Sequence, residues 1–169
     1  MTGLAEVLLR PTFIVADMDK AVDFYARVFG WTVIFDQIIK VDGRFPPAAP
    51  DGERCRLTVF QVEDPELGGL GFMQYLDHEI PAGPDKHRGR LGQGEAILVV
   101  RSADPQACYE RVKQTDAVVI SPPTDWQVVG AEPGQVIGLC TMSLFDPNGI
   151  YIEVNKRHED SVWPAKAAT

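Results

Sequence analysis

The chain carries one pattern twice. Phe13-Ile14-Val15-Ala16-Asp17-Met18-Asp19 leads into Phe24-Tyr25-Ala26-Arg27-Val28, and Leu98-Val99-Val100-Arg101-Ser102-Ala103-Asp104 leads into Cys108-Tyr109-Glu110-Arg111-Val112. Tyr25 and Tyr109 stand 84 residues apart, each in a Tyr-x-Arg-Val that ends a helical pattern. A hydrophobic strand precedes each helix and another apolar run follows it, Trp31 to Phe35 and Ala117 to Ile120. A strand–helix–strands unit used twice predicts two equivalent half-sheets that curl toward each other and line one cup. That expectation directs the search for chemistry to equivalent positions of the two copies.

Turn and cap signals fix the rest of the layout. Asp17 is a good N-cap, and Met18, Ala21, Val22, Tyr25, Val28 and Phe29 follow at helical spacing until Gly30 stops the helix. Strands are expected over Leu8 to Val15, Trp31 to Val41, Leu57 to Val62 and Leu70 to Leu76. Prolines and glycines punctuate Asp42 to Gly52, which reads as an irregular loop over the cup or a plain surface segment. Asp77 to Gly94 carries enough proline and glycine to join two modules. After it, Glu95 to Val100 restarts the pattern, and Ser102 or Asp104 caps a second helix with Pro105 in its first turn. Val118 to Ile120, Ile137 to Leu144 and Ile150 to Val154 supply the remaining strands. Trp126 to Gly134 reads as a loop, and the tail after Asn155 as polar and frayed, with Trp163 as a docking candidate. The expected organisation is α+β: two tandem βαβββ modules over 5–78 and 94–157 forming one curved mixed-sheet cup, a linker over 79–93, and a polar tail over 158–169.

Charge and cysteine usage narrow the function classes. A net charge of −8, with no basic run interleaved with aromatics, argues against nucleic acid or an anionic membrane surface as partner. Cys55, Cys108 and Cys140 form neither a disulfide framework nor a zinc pattern; Cys108, on the buried face of the second helix, and Cys140, in a strand, read as small core residues. No apolar stretch approaches a membrane span and no signal-peptide pattern opens the sequence, so cytoplasm is the expected compartment.

The residues Val15-Ala16-Asp17 with the Phe24-Tyr25 helix, the Val28-Phe29-Gly30-Trp31 exit, and the Asp146-Pro147-Asn148-Gly149 turn ending in Glu153 together resemble the vicinal-oxygen-chelate superfamily, the glyoxalase, bleomycin-resistance and extradiol-dioxygenase group. The resemblance covers about residues 5–157. It implies a divalent metal at the floor of the cup, held by the first and last strands of each module, and by motif offset the four positions are Arg10, Gln74, Glu95 and Glu153. It also implies a homodimer.

Those four residues pull in different directions. In the strand Ile150 to Val154, Glu153 shares a face with Tyr151 and Asn155, so its carboxylate needs a cation or a basic side chain. Glu95 occupies the equivalent place in the second module's first strand. With Gln74 as a neutral oxygen donor, the two carboxylates suit Mg, Mn, Ni, Fe or Zn. Arg10 opposes the ion, because a guanidinium has no lone pair to donate and repels a cation at close range. Three readings follow: a three-ligand metal site, an ion pair from Arg10 to Glu153 or Glu95, or a first strand that is offset. A fixed guanidinium also suits a substrate carboxylate, enolate or phosphate.

Of the histidines, His78, His87 and His158 have no mutual metal-ligand spacing and read as loop residues, with His78 alone near a rim. Phe60, Phe72, Tyr75, Trp126 and Tyr151 are the aromatics at hand to shape a ligand, and Trp126, placed in a loop, has the strongest claim to touch one. Two functions compete for the small-molecule ligand. One is a glyoxalase-like isomerase, epimerase or lyase, with Glu153 or Glu95 moving a proton and the cup stabilising an oxyanion. The other is a metal-free binding or drug-sequestering protein of the bleomycin-resistance type. The two-histidine, one-carboxylate iron site of an extradiol dioxygenase is absent at the matching positions, and Arg10 breaks the ligand set of a close lactoylglutathione lyase.

Overall fold

Asp17 and Gly30 set the first helix as the sequence requires. In a computed structural model, which describes residues 10–44, 46–61, 69–83, 85, 89–129 and 135–158, the Asp17 carboxylate accepts from the Lys20 amide at 3.1 Å. Gly30 takes the left-handed φ of +72° that ends the helix without a Cβ penalty. Between them α1, Met18–Phe29, buries Met18, Ala21, Phe24, Tyr25 and Val28. Tyr25 anchors the packing, with its ring centroid 4.9 Å from Phe72, 5.8 Å from Phe60 and 5.5 Å from Trp31. Burial of each such ring stabilises the fold by roughly 2–3 kcal/mol.

The chain divides into two compact units, Met1–Pro84 and Asp85–Thr169. In the first, β1 (Thr12–Ile14), α1, β2 (Thr32–Lys40), β3 (Arg54–Gln61) and β4 (Leu70–Tyr75) give a four-stranded sheet in the order β1-β4-β3-β2. Only the β1–β4 pairing is parallel. The second unit repeats this with β5 (Ile97–Arg101), α2 (Pro105–Val112), β6 (Val118–Val129), β7 (Val136–Phe145) and β8 (Tyr151–Arg157), in the order β5-β8-β7-β6. Each βαβββ copy therefore owns its sheet, and the class is α+β. The Asp104 carboxylate, not Ser102, caps α2 by accepting from the Ala107 amide at 2.9 Å. Among the described residues no helix is long and apolar enough to cross a membrane.

Several element boundaries differ from expectation: β1 begins at Thr12, which leaves Arg10 before the strand, and β3 begins at Arg54 and not Leu57. β6 runs on through Pro122 and Pro123 to Val129 and so includes Trp126, which is a strand residue. It is the edge strand, where proline's missing N–H leaves no ladder bond unmade, and its register slips on both sides of Ser121. β8 continues to Arg157 because Lys156 and Arg157 pair with Cys140 and Leu139. β5 starts at Ile97, which leaves Glu95 in the preceding turn. Before β8, the buried Asp146 carboxylate accepts from the amides of Asn148 and Ile150 at 2.8 Å each, and Gly149 turns the chain at φ +87°.

Candidate functional site

Strand alternation gives each sheet one face packed against its helix and another turned away from it, the open face. In the first unit Phe72, Thr58 and Phe60 are fully buried toward α1. Gln74 is two residues beyond Phe72 and pairs with Arg56, whose guanidinium reaches Asp19 in the first turn of α1 at 2.6 Å. Gln74 thus lies on the helix side. Its Oε1 accepts from the Met18 amide at 3.1 Å and its Nε2 donates to the Ala16 carbonyl at 2.9 Å. Both ends of the amide hold the start of α1 against β4. Phe60, another ligand candidate, is a core residue on the same side.

On the opposite face, Thr12 pairs with Gly71 and Ile14 with Met73. A Cβ on Gly71 would stand 2.7 Å from Thr12 Oγ1 and 3.3 Å from Arg10 Nε, so the missing side chain makes room for the Arg10 guanidinium. Arg10 is exposed, and no described carboxylate of its own unit pairs with it. Farther along, Tyr75 is buried with Val41, Ala49, Cys55 and Met73, and Ala48 of the Asp42–Gly52 loop packs on the same cluster. The Tyr75 hydroxyl has no hydrogen-bond partner among the described residues. Burial pushes both this phenol and the Cys55 thiol up in pKa. This loop therefore roofs one end of the open face with its alanines, while Phe45 lies outside the described residues.

The second unit holds the more polar surface. Ile152, Val154, Met142 and Leu144 are fully buried on the face packed against its helix. The open face carries Tyr151, Glu153 and Asn155 from β8, with Glu153 opposite Ser143 of β7 and Asn155 opposite Thr141. Glu153 is half-buried, and its carboxylate makes no hydrogen bond or ion pair with any described residue of its own unit. Tyr151 meets Phe145 edge-on at 5.3 Å, forming an aromatic end to the row. At the other end Trp126, about half exposed, donates its indole N–H to Thr141 Oγ1 at 2.7 Å, and Thr141 donates to Asn155 Oδ1 at 2.5 Å. Glu95, by contrast, accepts from the Gly92 amide inside its own turn.

The implied metal can be tested against these placements. Among the described residues, no three His, Cys, Asp or Glu side chains are grouped to hold an ion. Gln74 faces the helix with its amide engaged, Glu95 closes a turn, and Arg10 has no lone pair to give. Of the implied set only Glu153 has a ligand's chemistry, orientation and freedom together, so the residues do not fit the ion. The histidines do not rescue it. His78 is exposed past β4, His87 lies outside the described residues, and His158 Nε2 pairs with Asp125 at 3.2 Å. Ser143, Thr141 and Asn155 were not among the sequence-derived site residues. The signal for them was the polar alternation of β7 and β8 on Glu153's own face.

Comparison with known proteins agrees with this architecture. The family model described as Glyoxalase/Bleomycin resistance protein/Dioxygenase superfamily matches residues 7–154. A glyoxalase family protein from Bacillus cereus superposes with a TM-score of 0.65 at 15% identity, over 92% of this chain and 99% of that one. A single-residue variant of glyoxalase I from Zea mays gives 0.59 at 16%, over 89% of this chain and 44% of that one. TnmS3, an antibiotic binding protein from a Streptomyces species, gives 0.55 at 17%, over 93% and 100%. Among curated proteins, none matches. With a doubled βαβββ topology and a family match that spans nearly the whole described chain, the protein belongs to the Glyoxalase/Bleomycin resistance protein/Dioxygenase superfamily.

Proposed function

We propose that the chain is a metal-independent small-molecule binding protein whose ligand lies on the open face of the second unit's sheet and is anchored by Glu153. The observation that carries this reading is the Glu153 carboxylate itself: half-buried, flanked by Ser143 and Asn155, and without a partner among the described residues of its unit. A carboxylate in that setting is stabilised by a ligand that brings a cation or strong donor, and the net charge of −8 favours approach of a cationic ligand. The mismatch of Arg10, Gln74 and Glu95 to a metal supports the metal-free form. So does the likeness in fold to TnmS3, which is named as an antibiotic binder.

The test pairs two measurements on untagged protein. Elemental analysis after exposure to Mn, Ni, Fe and Zn should find no ion held in stoichiometric amount. Calorimetric titration with bleomycin and with small aromatic amines should find binding that Glu153→Gln abolishes. A tightly held ion lost on Glu153→Ala would overturn the reading.

A second reading has one specific observation in its favour. An unpaired carboxylate beside a ligand surface is also a competent base for a glyoxalase-like isomerase, epimerase or lyase. Turnover of a bound ligand, lost in Glu153→Gln with binding retained, would select it. Either reading goes with a cytoplasmic homodimer as part of the proposal. Three unpaired cysteines support the reducing compartment, and sedimentation would test the dimer.

A further inference from the structure

We infer that Asn155 is a specificity-determining residue, set as a hydrogen-bond donor by a Trp126–Thr141 relay, and that the ligand is an aromatic small molecule with a carbonyl at one end and a protonated amine at the other. This rests on the proposed binding role of the second unit's open face.

Thr141 links the Trp126 indole to the Asn155 amide. An indole N–H only donates, so Thr141 Oγ1 must accept from Trp126 at 2.7 Å. The Thr141 proton is then free for Asn155, and it goes to Oδ1 at 2.5 Å. With Oδ1 occupied, the Asn155 Nδ2 group is the end left to act, and it bonds to no described residue. Asn155 as a residue is 7% exposed, and a donor at such a position gains from a ligand acceptor.

Register supplies the polarity of the ligand. The Asn155 donor marks one end of the row. Glu153 lies two residues back on the same face, about 7 Å along the strand. An acceptor therefore belongs at Asn155 and a cation at Glu153. The Trp126 ring, 48% exposed, offers a stacking surface beside them.

The experiment measures dissociation constants by NMR titration for para-aminomethylbenzamide, which spans both groups, and for para-methylbenzylamine and para-toluamide, which each lack one. The variants are Asn155→Asp, Thr141→Val, Trp126→Phe and Glu153→Gln. In the wild-type protein, loss of the carbonyl should weaken binding about tenfold, the size of a well-placed hydrogen bond. That ratio should fall to about one in Asn155→Asp and shrink in Thr141→Val and Trp126→Phe. Because each ratio is taken within one variant, a general loss of stability cancels. An unchanged ratio in Asn155→Asp overturns the inference. Amine binding that depends on Glu153 but ignores the carbonyl overturns it while sparing the proposed function. Failure of all three probes to bind the wild-type protein would overturn both.

Discussion

Arg56 closes on Asp36 with two parallel bonds, Nε to Oδ1 at 2.8 Å and Nη2 to Oδ2 at 2.7 Å, and extends Nη1 to Asp19 at 2.6 Å. Thr58, fully buried, adds a hydroxyl bond to Asp36 Oδ1 at 3.0 Å. One side chain thus joins β2, β3 and the first turn of α1. The Arg56 hydrogen bonds hold the Asp36 carboxyl below its usual range against the opposing effect of burial.

The pH consequence follows from that direction. A depressed native pKa means the native state binds fewer protons than the unfolded chain near pH 4 and below, so stability rises with pH through that window. The Asp36 contribution is complete above about pH 4, the unfolded carboxylate value, and disappears as pH falls through the native pKa. Asp36→Asn should lower stability at pH 7 by about 1–2 kcal/mol, allowing for screening of a partly exposed pair, and flatten the acid limb. Urea unfolding between pH 3 and pH 7 checks both, and an acid limb as steep in the variant as in the wild type would refute the assignment. Asp19 is 88% exposed at its side chain, and Asp19→Asn should change little.

Gln74 illustrates how a ligand position can be turned to structural use. Its amide ties Met18 and Ala16 to β4, which satisfies one of the orphan donors at the start of α1. Gln74→Leu should therefore destabilise the protein by about 1–3 kcal/mol, from two lost bonds and a stranded amide and carbonyl. Ligand affinity in the second unit should be unchanged. Affinity that fell with stability unaltered would return Gln74 to the site.

Gly71 makes the corresponding argument for Arg10. A Cβ there would meet Thr12 Oγ1 at 2.7 Å, well inside contact distance, and Thr12 is held by pairing β1 to β4. Gly71→Ala should push Thr12 and Arg10 off the sheet and lower stability by about 1–3 kcal/mol, the usual range for overpacking. Thermal unfolding of the wild type, Gly71→Ala and Gly71→Ala/Thr12→Ala tests the clash, since the double variant removes both Thr12 atoms that a Cβ would meet and should recover stability. Equal stability of all three proteins would exclude it.

The fold was legible because its signals were local and repeated. The caps at Asp17 and Asp104, the turn at Asp146 to Gly149 and the two Tyr-x-Arg-Val helices each carry their own physical reason, and two copies corroborate one another. β6 was misread because Pro122 and Pro123 argue against a strand unless it is known to be an edge, and edge position is a property of the sheet. The site was half legible. Alternation alone put Glu153, Tyr151 and Asn155 on one face. The side chosen by Gln74 was not, since β4 is apolar on both faces and gives no period-two signal. Glu95 failed for another reason: which residue begins β5 depends on pairing with β8.

Glu153 brings stability and function into opposition. A half-buried carboxylate without a partner among the described residues of its unit has lost hydration and gained no compensating bond from them, so it is a cost to the folded protein. Glutamine has the same shape without the charge. Glu153→Gln should leave the melting temperature unchanged or raise it, by up to about 1 kcal/mol in stability, while removing affinity for cationic aromatic ligands. A glutamate held in a structural ion pair would behave in the opposite way, since its removal strands the buried partner and lowers stability by several kcal/mol. Calorimetric melting of the two proteins, each with and without para-aminomethylbenzamide, separates the cases. A wild-type transition that rises with ligand beside a variant transition that starts level or higher and does not move is the result expected of a carboxylate kept for binding. A variant that melts markedly earlier would make Glu153 a structural residue and remove the anchor from the ligand surface.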